Sequence, residues 1–179
     1  MQYFLVAGLG NPGERYKQSR HNVGFILVDY FSETLFPANF SLGKKFQSEL
    51  AVYSEESTKY LMAKPLTYMN NSGTAIKNIA NFYKISPEKI IILHDDIDLE
   101  LGRIKLSRNS GSAGHKGVES IIQELGTKDF YRLRVGIKSS SQNISTEKFV
   151  LEDFSKEEMK QIEESKSQAK ELLQDGFLS

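Results

Sequence analysis

Apolar residues along the chain follow two spacings, one typical of strands and one typical of helices. Short apolar runs closed by glycine or by charged residues predict buried strands at residues 3–9, 50–53, 59–63, 90–93, 103–106 and 131–138. Apolar residues three and four positions apart predict amphipathic helices that begin near residues 23, 76, 118 and 159. Because strands and helices interleave, we expect one three-layer α/β domain over residues 1–179, with helices on both faces of a central sheet.

The composition supports a folded protein, since 39% of the residues are hydrophobic and 11 Phe and 8 Tyr can fill a core. The chain contains no cysteine, which excludes disulfides, thiolate metal sites and a cysteine nucleophile. The N-terminus lacks the pattern of a signal peptide, and no apolar run approaches the ~20 residues that cross a bilayer. We therefore expect a soluble, cytoplasmic protein with no membrane partner.

The charges balance overall, with 23 basic and 23 acidic residues, which argues against a general nucleic-acid coat protein. They are unevenly placed: residues 99–138 hold eight basic and four acidic side chains, and residues 147–179 hold five and nine. A local basic face suits a partner with a few phosphates. Charge alone favours the simpler interpretation that both segments are solvated surfaces.

Residues 8–13 read Gly-Leu-Gly-Asn-Pro-Gly directly after a predicted strand, which matches the glycine pattern of dinucleotide-binding loops. The context argues against that function, because residues 14–20 offer no apolar face for the helix that should follow. Pro12 also removes one backbone N–H donor from the loop. The loop instead presents the Asn11 amide at the edge of the sheet, where α/β proteins bind ligands.

The three histidines all lie at predicted element ends, His21 and His115 at helix starts and His94 at the end of a strand. General-base chemistry is one interpretation, and a structural role is the more common one for any single histidine. The acidic residues that follow His94 could bind a hard cation, but Leu101 stands where a calcium loop needs glycine, which favours a solvated turn. The sequence has no zincin, P-loop or serine-hydrolase motif.

Five motifs, taken in order, resemble those of the bacterial-type peptidyl-tRNA hydrolase family. They are GLGNPG at 8–13, RHNVG at 20–24, KPLTYMNNSG at 64–73, HDDID at 94–98 and RLRVGI at 132–137. The resemblance spans residues 3 to about 154 and implies a single-domain α/β fold with a mixed sheet. It implies hydrolysis of the ester that joins a peptide to the 3′-terminal ribose of tRNA, without a metal or other cofactor. The expected partner is peptidyl-tRNA, the expected role is ribosome rescue in translation, and the expected state is a monomer.

The resemblance also implies roles for individual residues. It makes His21 the general base and Asp95 the carboxylate that orients it, while Asn11 and Asn70 hold the substrate or stabilise the oxyanion. Since an ester is already activated, positioning and deprotonating water and stabilising the oxyanion suffice for its hydrolysis. Substrate binding is expected of Tyr16, Tyr68, Met69, Lys116, Arg134, Lys105 and Arg108.

The sequence departs from the family pattern at two functional positions. Lys116 stands where the family commonly has asparagine, and a lysine ammonium donates hydrogen bonds but accepts none. We expect Lys116 to bind a substrate oxygen, and a solvated lysine is an equally open interpretation. The basic residue with which the family binds the tRNA 5′ phosphate aligns with Ser107 in this chain. Whether Lys105 or Arg108 binds that phosphate here is left open.

Two other functions compete with the hydrolase. A non-catalytic RNA-binding protein on the same fold would fit the basic stretch equally well, but the intact His21, Asp95, Asn11 and Asn70 favour the enzyme. A metal- or nucleotide-dependent enzyme rests only on the glycine loop and the acidic cluster.

Overall fold

The computed structural model of the protein describes residues 1–139 and 144–179. In these residues seven strands form one mixed sheet in the order β2-β3-β4-β1-β5-β7-β6. The strands are β1 (Gln2–Gly8), β2 (Ser41–Gly43), β3 (Ser48–Glu55), β4 (Thr58–Pro65), β5 (Ile90–Glu100), β6 (Ile104–Arg108) and β7 (Tyr131–Lys138). The helices are α1 (Val23–Thr34), α2 (Ser72–Tyr83), α3 (Lys116–Leu125), α4 (Thr146–Phe149) and α5 (Lys156–Gly176).

The sheet separates two apolar cores, because successive side chains of a strand point to opposite faces. Helices α1 and α5 cover one face, where Phe31 and Leu93 are fully buried. Helices α2 and α3 cover the other, where Ile76 and Ile121 are fully buried. Burying one such side chain contributes roughly 1.5–3 kcal/mol to folding. The predicted three-layer α/β fold with a mixed sheet is confirmed.

The four central strands are parallel, so their carboxyl ends meet at one edge of the sheet. Three of the five motifs lie at this edge: residues 8–13 at the end of β1, residues 64–73 at the end of β4, and residues 94–98 in the last part of β5. Helix α1 packs closely against the end of β1, because a Cβ on Gly8 would lie 2.3 Å from the Gly24 carbonyl oxygen. Glycine at both positions therefore lets the turn that carries His21 approach β5.

Strand β5 is longer than the sequence predicted, which is a correction to the expected end at Leu93. The charged residues 94–100 lie inside the strand, because β7 continues to pair with it. The pairing shifts register between Asp96 and Glu100, and a Cβ on Gly136 would lie 1.9 Å from the Glu100 carbonyl oxygen. Asp95 and Asp96 precede this shift, and they take different partners because consecutive side chains of a strand point to opposite faces of the sheet.

The longest helix, α5, begins with a capping box in which Ser155 and Glu158 each satisfy a backbone N–H of the other. The other helices that the described residues contain are shorter.

Across residues 1–139 and 144–179, no helix is both long and apolar enough to cross a membrane.

Candidate active site

A cleft of about 670 Å³ opens at the edge of the sheet where the parallel strands end. It brings together eight of the eleven residues that the sequence predicted for the site: Asn11, Tyr16, His21, Tyr68, Met69, Asn70, Asp95 and Lys116. Among the described residues, the other three, Lys105, Arg108 and Arg134, lie outside its lining. The predicted site therefore divides into a cleft and a separate group of basic residues.

The centre of the cleft is a carboxylate held between two imidazoles. His21 Nδ1 lies 2.8 Å from Asp95 Oδ1 and 2.9 Å from Oδ2. His115 Nε2 lies 2.8 Å from the same Oδ1 atom. The Asp95 side chain is only 3% exposed, so both contacts form away from bulk water.

The contacts of His115 fix which of its nitrogens carries the proton. His115 is the N-cap of α3, and its Nδ1 accepts a hydrogen bond from the Val118 backbone N–H at 3.3 Å. The proton of a neutral His115 is therefore on Nε2, where it is donated to Asp95. His115 thus helps to hold the carboxylate that faces His21.

Asp95 in turn orients His21. A carboxylate only accepts hydrogen bonds, so His21 donates from Nδ1 and leaves Nε2, on the opposite side of the ring, to accept a proton in the cleft. Burial raises the pKa of Asp95, but the two histidines hold it far below its usual range. The two imidazoles therefore hold Asp95 in its ionised form, which is the form that accepts both hydrogen bonds.

His21, Asp95 and His115 are also the one group among the described residues whose donor atoms lie close enough to bind a metal ion. The contact with Val118 opposes such binding. A metal on His115 Nε2 would displace its proton while Nδ1 still accepts a hydrogen bond, which requires an imidazolate or a broken helix cap. The donor set fits a hydrogen-bonded triad better than a cation site.

The remaining histidine, His94, is structural. Its Nδ1 donates to the Asp95 carbonyl oxygen at 2.7 Å. Burial, with electrostatic repulsion from His115 and Arg132, lowers the pKa of His94 well below the usual value, which favours its neutral form. It packs against the His115 ring with centroids 4.7 Å apart, and so supports the triad from inside the sheet.

Asn11 is held rigidly at the floor of the cleft. Its backbone N–H and C=O bond the side-chain amide of Asn22 at 2.8 and 2.9 Å. Its Oδ1 accepts the Met69 backbone N–H at 2.8 Å. Since the oxygen is occupied, the NH₂ group of Asn11 is the part of the amide that can donate to a ligand.

The other predicted cleft residues vary in exposure. Met69 is buried against Gly117, where a Cβ would lie 2.4 Å from its sulfur. Asn70 is exposed beside it. Tyr68 is 54% exposed and has a φ of 60°, which is costly for a bulky residue and marks a constrained position at the rim. Lys116 is exposed, with its Nζ 3.4 Å from Glu119.

The basic residues outside the cleft lie on strands β6 and β7. Lys105 pairs with Arg134 and Ser107 pairs with Arg132, so all four side chains share one face of the sheet. Arg134 donates from Nε to Asp96 at 2.6 Å. We call Lys105, Arg132 and Arg134 the basic edge.

Arg108 does not belong to this group. It lies three residues from Lys105 on the same strand and therefore faces the opposite side of the sheet. Its guanidinium makes two hydrogen bonds to Asp129, at 2.7 and 3.2 Å. Arg108 is thus already paired with a carboxylate and separate from Lys105 and Arg134.

Three residues at the site have no role in the set predicted from the sequence: His115, which was considered only as one of three possible general bases, Asn22 and Arg132. His115 and Asn22 sit beside residues that were singled out, Lys116 and His21, and an imidazole after Gly114 at a helix start was a usable signal. Arg132 carries no such signal, because its burial to 3% exposure follows from strand pairing.

A carboxylate-oriented imidazole beside a rigid amide donor, in a cleft at the sheet edge, defines an α/β protein equipped for general-base hydrolysis. A family model described as peptidyl-tRNA hydrolase matches residues 5–178. A peptidyl-tRNA hydrolase of Desulfitobacterium hafniense is 46% identical over 161 residues, covering 89% of this chain and 85% of the relative. One of Caldicellulosiruptor saccharolyticus is 41% identical, covering 97% and 92%.

The fold comparison agrees with these matches. The crystal structure of peptidyl-tRNA hydrolase from Acinetobacter baumannii has a TM-score of 0.86 and 32% identity to this chain, covering 96% of this chain and 89% of that one. The chain belongs to the peptidyl-tRNA hydrolase family, and the resemblance predicted from its five motifs is confirmed.

Proposed function

We propose that this protein hydrolyses the ester between a peptide and the 3′-terminal ribose of tRNA, and so releases both for reuse in translation. The observation that carries the proposal is the contact of His21 Nδ1 with Asp95 in the cleft, in a chain of this family. The glycine loop at 8–13 does not open a dinucleotide-binding helix, because Gly8 and Gly10 pack against the His21 turn and α1, and the loop holds Asn11 in the cleft.

The reaction needs one proton carrier. Water attacks the ester carbonyl carbon as its proton passes to His21 Nε2, and Asp95 stabilises the imidazolium that forms. The tetrahedral intermediate then collapses, the bond to the ribose 3′ oxygen breaks, and His21 returns the proton to that oxygen. The products are a peptide with a free carboxylate and a tRNA with a free hydroxyl.

The oxyanion needs donors that are already in place. The NH₂ group of Asn11 is suited to this, because the contacts of its Oδ1 and of its backbone fix its direction. A single preorganised donor of this kind is worth about 2.7–4 kcal/mol of barrier in comparable sites. Exposed Asn70 is the second amide, and Met69, Tyr68 and Tyr16 form the walls that contact the peptide and the terminal nucleotide.

The basic edge is the part of the surface suited to a tRNA phosphate. Arg132 is 3% exposed and hydrogen-bonds Ser110, yet it makes no ion pair with a carboxylate of the described residues. Burial and the charge of Arg134 lower the pKa of Arg132, and the negative charge of a bound anion would act in the opposite direction. This supports Lys105 over Arg108 as the residue that acts with Arg134, because Lys105 lies on the same face.

We expect Arg134→Ala to raise KM for peptidyl-tRNA by about tenfold, which corresponds to 1.4 kcal/mol, and to reduce the slope of affinity against salt by about one. The activity of Arg134→Ala on a short ester without the tRNA body should fall less. That substrate has no phosphate for Arg134 to bind, so only the loss of the Asp96 partner affects its hydrolysis. The matched control is Lys89→Ala, which also removes one positive charge but does so at the opposite end of β5. Equal losses on both substrates would show that Arg134 acts by holding Asp96 instead.

Lys116 is proposed to bind a substrate oxygen at the mouth of the cleft. Its exposed pair with Glu119 is worth at most ~1 kcal/mol, so a peptide carbonyl or phosphate can compete for the ammonium. We expect Lys116→Ala to weaken peptidyl-tRNA binding more at low than at high salt, and Lys116→Asn to keep turnover within about tenfold. If Lys116→Ala binds peptidyl-tRNA as tightly as the parent protein at every salt concentration, Lys116 does not contribute to substrate binding.

The decisive experiment is incubation of the purified protein with peptidyl-tRNA in EDTA. Release of tRNA without added metal is the expected result and supports both the hydrolase and its independence of metal. Binding without release would instead indicate an RNA-binding protein, and release that stops in EDTA would indicate a metal enzyme. We further propose a monomer acting in the cytoplasm, which sedimentation and cell fractionation test separately.

A further inference from the structure

The turn that carries His21 is attached to a distant part of the chain by a short antiparallel contact. His21 N–H donates to the Val150 carbonyl oxygen at 2.8 Å, and Arg20 N–H donates to that of Glu152 at 3.0 Å. Phe154 N–H donates back to Gln18 at 3.0 Å. The residues between α4 and α5 therefore set the backbone position of the imidazole.

The Arg20 side chain reinforces this contact from inside the protein. It is only 7% exposed, and its Nη2 lies 2.8 Å from Glu158 Oε2. Its Nη1 lies 3.4 and 3.3 Å from the carbonyl oxygens of Phe149 and Glu152. The guanidinium also stacks on the Phe149 ring, 4.2 Å from the centroid. A lysine could reproduce the charge but not this set of planar contacts.

Glu158 links Arg20 to two other elements. Its Oε2 accepts the Ser155 backbone N–H at 2.8 Å in the capping box of α5. Ser139, directly after β7, also hydrogen-bonds the carboxylate. Since the Glu158 side chain is 11% exposed, one buried carboxylate joins the His21 turn, the start of α5 and the end of β7.

The segment held in this way also forms one wall of the cleft. Val150 and Leu151 line it, next to Thr146 and Glu147 of the preceding helix α4. Arg20 therefore sits where the position of the base and the position of this wall are fixed together.

We propose that Arg20 and Glu158 are positioning residues for the hydrolysis: their ion pair holds the 149–154 segment against the His21 turn, so that the imidazole keeps its alignment with Asp95. The inference rests on the proposed function for its kinetic consequence and on the geometry alone for the alignment. Neither residue is among those that line the cleft, so the expected loss is mainly in kcat rather than in KM.

The test compares Arg20→Met, Arg20→Lys and Glu158→Gln with the parent protein, below the unfolding temperature of each. We expect kcat to fall by about tenfold or more for Arg20→Met and Glu158→Gln on both peptidyl-tRNA and a short ester, with KM within about threefold. Arg20→Lys should recover part of the loss. In proton NMR, the His21 Nδ1–H resonance should broaden or shift upfield in step with kcat.

Lys166→Met is the matched control. Lys166 is also a cation on α5 with a side chain only 15% exposed; it pairs with Glu163 one turn earlier in the same helix at 2.7 Å, and its Nζ lies 5.5 Å from the ring centroid of Tyr30 on α1. It contacts neither the His21 turn nor residues 149–154, so it should keep its kcat and the His21 resonance even if stability falls.

A kcat within about twofold of the parent, an unchanged His21 resonance, or an equal loss in Lys166→Met overturns the proposal. If Arg20→Met does not fold, Arg20→Lys and Glu158→Gln decide by the same criteria. A parent protein that releases no tRNA would refute the proposed function instead, and the His21 resonance would still decide whether Arg20 and Glu158 align the imidazole.

Discussion

His21→Ala is expected to lower turnover by at least about 10²-fold, the usual scale for losing a general base. The fold should survive, because the His21 side chain is 12% exposed at the cleft and its backbone contact with Val150 does not depend on the imidazole. Asp95 would still be held by His115 at 2.8 Å, so the buried carboxylate is not left without a partner. Steady-state kinetics of the purified variant with peptidyl-tRNA measure the effect.

The control is addition of free imidazole, which can occupy the space left by the side chain and accept the proton of water. We expect partial recovery of turnover in His21→Ala and no increase in the parent protein. Binding of uncleaved peptidyl-tRNA should be nearly unchanged. Turnover close to that of the parent in a pure, folded variant would remove His21 as the base and leave Asp95 and His115 to be reassigned.

The topological part of the site could be predicted from the sequence. Apolar runs that end in polar motifs identify strand ends, and parallel strands bring their carboxyl ends to one edge. This is why Asn11, Met69 and Asp95, which are far apart in sequence, meet in one cleft. The resemblance to a known family then supplied the roles that spacing cannot give.

The partners of individual side chains could not be predicted in the same way. A shift of one residue in strand register moves a side chain to the other face of a sheet, and apolar spacing does not fix the register of β7 against β5. The contact of Arg134 with Asp96 depends on that register. The contact of Arg20 with Glu158 joins residues 138 positions apart, which no local pattern encodes.

The length of β5 shows a related limit. Charged residues after a β-branched run usually indicate a turn, and this predicted an end at Leu93. The strand continues because β7 pairs with it and Gly136 admits the Glu100 backbone. Tertiary pairing thus overrides the local preference, and it places Asp95 inside a strand, where its direction is fixed better than in a loop.

Asp95→Asn should be the most informative single change, because two imidazoles donate to this carboxylate. Asparagine offers one accepting oxygen and one donating NH₂ group. His115 must donate, since its Nδ1 accepts from Val118, so it takes the amide oxygen at the Oδ1 position. The NH₂ group then occupies the Oδ2 position, 2.9 Å from His21 Nδ1, and competes for that nitrogen with the amide oxygen at 2.8 Å, which His115 already uses. At that position the NH₂ group favours the tautomer of His21 that carries its proton on Nε2 and cannot accept one from water.

We therefore expect Asp95→Asn to lower kcat by about 10³- to 10⁴-fold, approaching the ~10⁴-fold loss found when an orienting aspartate becomes an amide. Affinity for uncleaved peptidyl-tRNA should change by less than about threefold, or ~0.6 kcal/mol. Asp96→Asn is the matched control, because Asp96 is also buried on β5 but bonds Arg134 and the Asp98 N–H rather than a histidine. On a short ester that control should retain most of its kcat. A loss of affinity without a loss of kcat in Asp95→Asn would assign Asp95 to the tRNA surface, and equal losses in both variants would show that charge at this edge matters more than the tautomer of His21.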